Sequence, residues 1–249
     1  MFNFFKKDKV RILCIDEAFV NAWPPIYSKD LKRDFLSKAN EYYKKDIKRE
    51  KDPTCPFAKI RNTAKCPGIR DIVNAGYIIR LHKDIRIITN GDGTTLKCET
   101  LIDSSDKKDF GFFNQDQYAN FVKTSENSVK TVLKINTPWI FDHKEYCFLQ
   151  TQPSFFGECR FTVIEGILDP LNSREINIIM FWNVLDGVEI LRAGTPISQL
   201  IPIKRKFLPK LEIEYDHKNL RQKLINYGTF NNSVNHDYLK VDTFINPKH

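Results

Sequence analysis

One stretch of forty-odd residues constrains the fold more than any other. From Thr162 to Arg205 the chain carries three apolar runs, at 163–168, 176–182 and 197–203, rich in Ile, Val, Phe and Trp. Asp-Pro-Leu-Asn-Ser, Asp-Gly and Gly-Thr-Pro separate them. Short β-branched and aromatic runs bounded by turn formers read as consecutive β-strands. Upstream, alternation at 131–136, Trp139 after Pro138, and the run 146–152 ending before Pro153 extend the same signal. Strands that begin every eight to twelve residues predict a sandwich or barrel.

Earlier elements are more mixed. The segment 10–15 reads as a strand and Trp23-Pro24-Pro25 as a stiff loop. Between Asp30 and about Arg49, Leu31, Phe35, Ala39, Tyr42 or Tyr43, and Ile47 recur at helical spacing. Ser28 or Asp30 is placed to cap that helix, and Pro53 lies beyond it. Pro67 through Gly76 predicts a short helix with a glycine stop. Strands follow at 77–81 and 84–89, and Asn90-Gly91-Asp92-Gly93 predicts a hairpin pairing 85–89 with 95–99. The stretch 103–128 is polar but carries five aromatic residues, so it reads as packed down. A helix at 217–227, stopped by Gly228, precedes a polar tail. Three regions are therefore expected: 1–65 as a strand plus helical appendage, 66–209 as the β core, and 210–249 as a C-terminal helix and tail.

Composition excludes several classes. Charged residues make up 28% of the 249, and no apolar run approaches the roughly 20 residues of a spanning helix. The first residues lack the order of a secretion signal, which predicts a cytoplasmic protein. Six cysteines at irregular spacings fit reduced thiols, and none form the close pairs of zinc ribbons. A metal held by residues distant in sequence stays open. The net charge of +8 favours an anionic partner such as a triphosphate, nucleic acid or acidic protein. Much of that excess lies before residue 52, where interleaved acids favour a solvated face over a nucleic-acid one. No P-loop, Rossmann or G-x-S-x-G pattern occurs.

The opening stretch resembles the C-terminal half of the trimeric dUTPase and dCTP deaminase family. That family carries G-x-I-D-x-x-Y-x-G-E, then an apolar strand ending in Asn, then G-D-x-I-A-Q-L-I. Gly166, Asp169 and Glu175 match the first spacing, and Asn183, Gly194 and Gln199 match the rest. One extra residue lies between Glu175 and Asn183, which a bulge can absorb. Residues 136–154 look like the strand pair leading to the family's phosphate turn, and Ala75-Gly76-Tyr77 echoes its first motif. The Cys66-Pro67-Gly68-Ile69 and Gly166-Ile167-Leu168-Asp169-Pro170 phrases also look like those of a family of tailed-phage proteins.

The resemblance implies a mainly β fold, a distorted antiparallel β-barrel of the dUTPase-like, β-clip kind, that forms a homotrimer with nucleotide sites at subunit boundaries. Asp169 would be the carboxylate by the deoxyribose and attacking water, and Gln199 a phosphate or subunit contact. Ser154 would be a phosphate contact, although the family's P-R-S-G is not reproduced. Asn172 stands where the family has a sugar-stacking Tyr, Arg174 where it has Gly, and Ile78 where it has the carboxylate that helps hold a metal-bound triphosphate. Mg²⁺ would therefore be a cofactor only where triphosphate chemistry is retained.

Gly166, Asn172, Arg174, Gln199 and Ser154 are thus the candidate nucleotide contacts, and Asp169 the candidate catalytic residue. The expected function is a phage-encoded protein that binds a nucleotide or related small anion, with or without catalysis. An active dUTP pyrophosphatase or dCTP deaminase, and a non-catalytic oligomeric scaffold, are the alternatives. Each residue also has an ordinary reading: Asp169 as a turn former before Pro170, Gly76 as a helix cap, Gln199 as a bond between strands, and Arg174 as a surface ion pair.

Overall fold

A computed structural model describes residues 9–14, 16–47, 66–100, 109–118 and 125–205. The chain divides into two compact units, Met1–Arg205 and Lys206–His249, and the second lies outside the described residues together with the helix expected at 217–227.

The described part is mainly antiparallel β, in three sheets. The first sheet runs β1 (Ile12–Cys14), β7 (Val132–Phe141), β11 (Glu175–Trp182) and β9 (Phe161–Val163), with β6 (Phe110–Phe113) also on β7. β1 pairs with one end of β7 and β6 with the other. The second sheet is ordered β10 (Gly166–Leu168), β8 (Tyr146–Thr151), β13 (Pro196–Lys204), β3 (Tyr77–Arg80) and β2 (Ile26–Tyr27). The third is β12 (Asp186–Leu191), β4 (Ile85–Asn90) and β5 (Leu96–Thr100). Three helices accompany them: α1 (Glu17–Ala22), α2 (Asp34–Ile47) and α3 (Pro67–Asn74).

A closed barrel, expected from the resemblance, is not what forms. Among the described residues no ladder joins one sheet to another. The cause lies in the run 163–168, which reads as one strand but is two. Val163 pairs with Met180 in the first sheet, and Gly166 pairs with Gln150 in the second. The chain crosses between sheets at Ile164, whose N–H reaches the Ile179 carbonyl at 2.8 Å while its own carbonyl accepts from Gln150 Nε2 at 3.3 Å. The two sheets close on one core instead. Phe141 of β7 and Phe148 of β8 stack with ring centroids 4.0 Å apart, both fully buried. Trp182, Phe161, Ile79, Ile87 and Leu191 bring side chains from all three sheets into the same cluster. Each large side chain buried this way contributes about 1.5–3 kcal/mol.

The N-terminal stretch is not simply an appendage. It supplies an edge strand to each of two sheets, β1 on β7 and β2 on β3. The helix expected from Asp30 starts at Asp34, because 28–33 is held in another conformation. Ser28 Oγ donates to the Val73 carbonyl at 2.8 Å, and Arg33 Nη1 donates to the Ser28 carbonyl at 2.7 Å. The 85–100 hairpin forms one residue out of the expected register, with Ile85 opposite Thr100. Asp92 accounts for that shift: its carboxylate accepts from the amides of Thr94 at 2.7 Å and Thr95 at 2.6 Å, lengthening the loop beyond a two-residue turn. The irregularity expected in β11 falls on its partner, where four steps along β7 from Ile140 to Asn136 match two along β11 from Glu175 to Asn177. Pro138, which lacks an N–H, sits within that bulge. β12 was masked in the sequence by its Asp186-Gly187 start, which reads as a turn.

One face of the second sheet is half roofed. Residues directly opposite on neighbouring strands share a face. Thr151, Gln199 and Ile78 form one such row, and Gln199 and Ile78 are fully buried because α3 lies against them. Ile167, Leu149 and Ile201 form the next row of that face, with Cys147 and Ile203 beyond. There Ile167 is 56% exposed and Ile203 42%.

Gly76 makes the α3 roof possible. Its φ of +72° is a left-handed conformation, and a Cβ there would come within 2.0 Å of the Leu200 carbonyl oxygen. Gly166 has open space where a Cβ would be. Gly76→Ala is therefore expected to destabilise the fold by at least about 2 kcal/mol, and Gly166→Ala to stay within about 0.5 kcal/mol, measured by urea denaturation of both variants.

Candidate functional site

The turn between β10 and β11 is built by its first residue. Asp169 Oδ1 accepts from the Leu171 amide at 2.9 Å, and the Asp169 carbonyl accepts from the amides of Asn172 and Ser173, each at 2.9 Å. With Pro170 fixing the next φ, this is a turn that Asp-Pro chemistry favours. The chain then rejoins the first sheet where the Arg174 carbonyl accepts from the Phe141 amide at 2.8 Å.

The carboxylate of Asp169 is committed. Arg205, the residue after β13, grips it with both terminal nitrogens of its guanidinium, Nη1 at 2.6 Å from Oδ2 and Nη2 on Oδ1. Arg205 is itself positioned by the β7–β8 turn, its amide donating to Glu145 at 2.9 Å and its Nε to Lys144 at 3.3 Å. A two-pronged charged pair of this kind fixes orientation as well as charge. The Arg205 guanidinium, helped by the Leu171 amide, holds the Asp169 carboxyl down at about 2. Asn172 and Arg174 are exposed on the same turn. Asn172 Nδ2 approaches Asp169 at 3.4 Å, whereas Arg174 makes no ion pair among the described residues.

Gln199 lies elsewhere. It is fully buried in the middle of β13, and its amide joins three segments. Nε2 donates to the carbonyls of Ile72 at 2.7 Å and Ala75 at 2.8 Å, and Oε1 accepts from the Ser154 amide at 3.0 Å. Ser154 is tied a second time, its carbonyl accepting from Arg33 Nε at 2.7 Å. Arg33 is 6% exposed and also donates from Nη2 to Ser28 Oγ at 2.8 Å. Burial lowers the pKa of this guanidinium, which is satisfied by neutral oxygens rather than by a carboxylate among the described residues. Next to Ser154, Phe155 adopts a φ of +56°, unusual for a residue with a side chain, and stacks on Phe35 at 4.8 Å.

The candidate residues thus separate into two groups. Asp169, Asn172 and Arg174 stand near the Tyr146 end of β8, and Ser154 and Gln199 near its Thr151 end. At the rise of a strand those ends are roughly 15 Å apart. Gly166 pairs with Gln150 between them. A shallow groove of about 360 Å³ runs beside Ser154, bounded by Ile72, Gln152, Phe155 and Glu165. Its lining contains one carboxylate and no cation, so it does not by itself suit an anion.

The remaining motif residues hold structure. Asn183 closes β11, donating from Nδ2 to the Cys159 carbonyl and to Thr162 Oγ1, each at 3.0 Å, and accepting from Ser128 Oγ at 2.8 Å. Gly194, with φ +86°, lies against the Trp23 ring, which a Cβ would meet at 2.3 Å. Ile78, at the position of the family's metal-side carboxylate, is fully buried beneath α3. Among the described residues no three His, Cys, Asp or Glu side chains converge on a metal-sized space, and no helix is long and apolar enough to cross a membrane. Sequence reasoning did not find Arg205 or Arg33. Both lie inside basic runs, where nothing marks one cation as buried or paired.

No protein-family model matches this chain, and no curated protein matches it either.

The Asp169–Arg205 pair has a testable pH signature. A carboxyl held lower in the folded state than its ordinary 3.8 contributes stability that is present above that value and lost as pH falls toward 2. Asp169→Asn is therefore expected to melt below the parent protein by a constant margin above about pH 4, the margin shrinking as pH falls toward 2. Thermal melts of both proteins across that range check it.

Proposed function

We propose that this chain is a dUTPase-like β protein of tailed-phage type that binds a nucleotide or related small anion at a boundary between identical subunits, without hydrolysing it. The observation that carries the reading is how the 169–174 turn is divided. Asp169 is neutralised by Arg205, while Arg174 is exposed with no ion pair among the described residues. A carboxylate held at about 2, with its lone pairs already accepting from Arg205 and Leu171, is a poor base toward water. An exposed guanidinium is suited to take a phosphate with two parallel hydrogen bonds. A buried Ile78 offers no carboxylate to a divalent cation, so any Mg²⁺ would enter with a triphosphate.

One feature favours a subunit boundary. The uncovered apolar rows of the second sheet, with Ile167 and Ile203 exposed, give copies a surface to share. The same rows favour the second reading, a non-catalytic oligomeric scaffold in which the surface assembles the protein and no ligand is taken. In either case the protein would work in the cytoplasm of the phage's host.

Thermal-shift measurements with dUTP, dCTP, dUMP and cyclic nucleotides test the first reading. At least one is expected to raise the melting temperature by several degrees at saturation, and Arg174→Ala to lose at least half of that rise. No rise with any of them removes nucleotide binding and leaves the scaffold. Incubation with dUTP or dCTP and Mg²⁺ is expected to release no pyrophosphate and no ammonia; product would return Asp169 to a catalytic role. Light scattering is expected to show a trimer that Ile167→Lys with Ile203→Lys disperses, and a monomeric parent would overturn both readings.

A further inference from the structure

The chain's one Asn-Gly dipeptide, Asn90-Gly91, and both of its Asp-Gly dipeptides, Asp92-Gly93 and Asp186-Gly187, meet at one end of the third sheet. In such dipeptides a backbone nitrogen closes readily on the side chain before it, because glycine has no Cβ to hinder the approach. Asn90 and Asp186 are directly opposite across the β4–β12 ladder, so their side chains share a face. Asn90, Gly91, Asp92 and Asp186 are all exposed. Of the three side chains, that of Asn90 is the reactive one. Its amide can lose ammonia, whereas an aspartate must first take up a proton to have a leaving group. At Asp92 the Thr95 hydroxyl, at 2.5 Å, and the amides of Thr95 and Thr94 hold the carboxyl well below the usual carboxylate range.

The closed corner keeps the reacting atoms apart. Asn90 is the last residue of β4, and ring closure requires its ψ to leave the extended strand value. The Gly91 N–H is spent on the Leu185 carbonyl at 2.8 Å, and Asn90 Oδ1 accepts from the Asp92 amide at 3.3 Å. Beyond the turn, the Lys130 amide donates to the Gly93 carbonyl at 2.8 Å and Thr131 Oγ1 to the Thr94 carbonyl at 2.6 Å. The far side of the turn is thus anchored, and the Gly91–Leu185 bond is the tie on the near side. The end of a three-stranded sheet opens locally at less cost than the whole fold.

We propose that Asn90 is a site of spontaneous deamidation, gated by the opening of this corner. When the Gly91–Leu185 bond parts, the Gly91 nitrogen attacks Asn90 Cγ. A bond forms between them, the Cγ–Nδ2 bond breaks, and the departing NH₂ takes up the Gly91 amide proton and leaves as ammonia. Water then adds to one of the two carbonyls of the resulting five-membered imide. Addition at Cγ breaks the new bond and gives aspartate. Addition at the main-chain carbonyl breaks the original peptide bond and gives isoaspartate, whose backbone runs through the former side chain. Nothing is oxidised or reduced, and water is the only co-reactant.

The fold makes the change one-way. An aspartate at position 90 sets two carboxylates directly opposite each other across β4 and β12, and like charges so placed destabilise the pairing. Isoaspartate adds a carbon to the backbone and breaks the register with Asp186. Either product keeps the corner open, so the modification records the time a molecule has spent open there.

The full chain is incubated at mildly alkaline pH, folded and in unfolding urea, and conversion of Asn90 is followed by peptide mass mapping. In urea Asn90 is expected to convert at least about fivefold faster than the other asparagines of the chain. In the folded protein it is expected to convert at least about tenfold more slowly than in urea. As urea is raised below the unfolding midpoint, that slow conversion is expected to rise in step with hydrogen exchange of the Gly91 amide, read by NMR. Asn90→Asp, which brings the charge without the rearranged backbone, is expected to speed Gly91 exchange at least about threefold, and adding Asp186→Ser to restore it. The proposal is overturned if Asn90 in urea converts no faster than the other asparagines, or if folded and unfolded chains convert alike. It is equally overturned if folded-state conversion appears only with global unfolding, if Asn90→Asp leaves Gly91 exchange unchanged, or if Asp186→Ser fails to restore it.

Discussion

The side-chain amide of Gln199 is the junction on which this arrangement depends. A glutamine in a central strand would ordinarily be a liability, because a buried amide without partners costs more than an apolar side chain of the same size. Here both amide hydrogens go to carbonyls at the end of α3 and the oxygen receives the Ser154 amide, so one side chain pins a helix and a turn to the sheet. Helix termini leave carbonyls short of partners, and Gln199 reaches two of them, that of Ile72 in addition to the Ala75 amide. The close approach this demands is what Gly76 permits, and the twice-held Ser154 is what brings Arg33 inward. Removing the amide would loosen the roof, the turn and the Arg33 cluster together.

Gln199 and Asn183, two of the six residues matched by resemblance, thus serve the fold, and Asp169 is shared between a turn and an ion pair. Both amide hydrogens of Gln199 and both of Asn183 already go to oxygens of the fold, so neither side chain has a donor left for a ligand. This accounting moves attention within the turn from Asp169 to Arg174, which makes no ion pair among the described residues. It also explains why spacing alone could not separate the roles: a turn former and a ligand contact use the same residue types at the same positions.

Much of the architecture was legible because short β-branched runs and turn formers act locally. The strands at 77–80, 85–90, 146–151, 175–182 and 196–204 and the helix at 67–74 follow from their own residues. What was not legible depends on partners distant in sequence. The split of 163–168 between two sheets is decided by Ile179 and Gln150, and the late start of α2 by Val73 and Ser28. Asp92 outvoted the Asn-Gly signal by capturing two amides beyond the turn. For the site, Asp169 could be nominated from its spacing to Gly166 and Glu175, but Arg205 could not, because a partner thirty-six residues away leaves no local pattern.

The outer margin of the second sheet has a consequence for how the protein avoids its own copies. β2 is only two residues long, Ile26–Tyr27, and leads directly into a 3₁₀ turn. The two residues before it are Pro24 and Pro25, neither of which has an N–H to offer a neighbouring strand. An edge that is short, stiffened by proline and bent away at once is a poor template for indefinite strand addition. Any assembly of this chain is thereby steered away from open-ended ribbons at that margin and toward contacts between faces, which can close on a fixed number of copies.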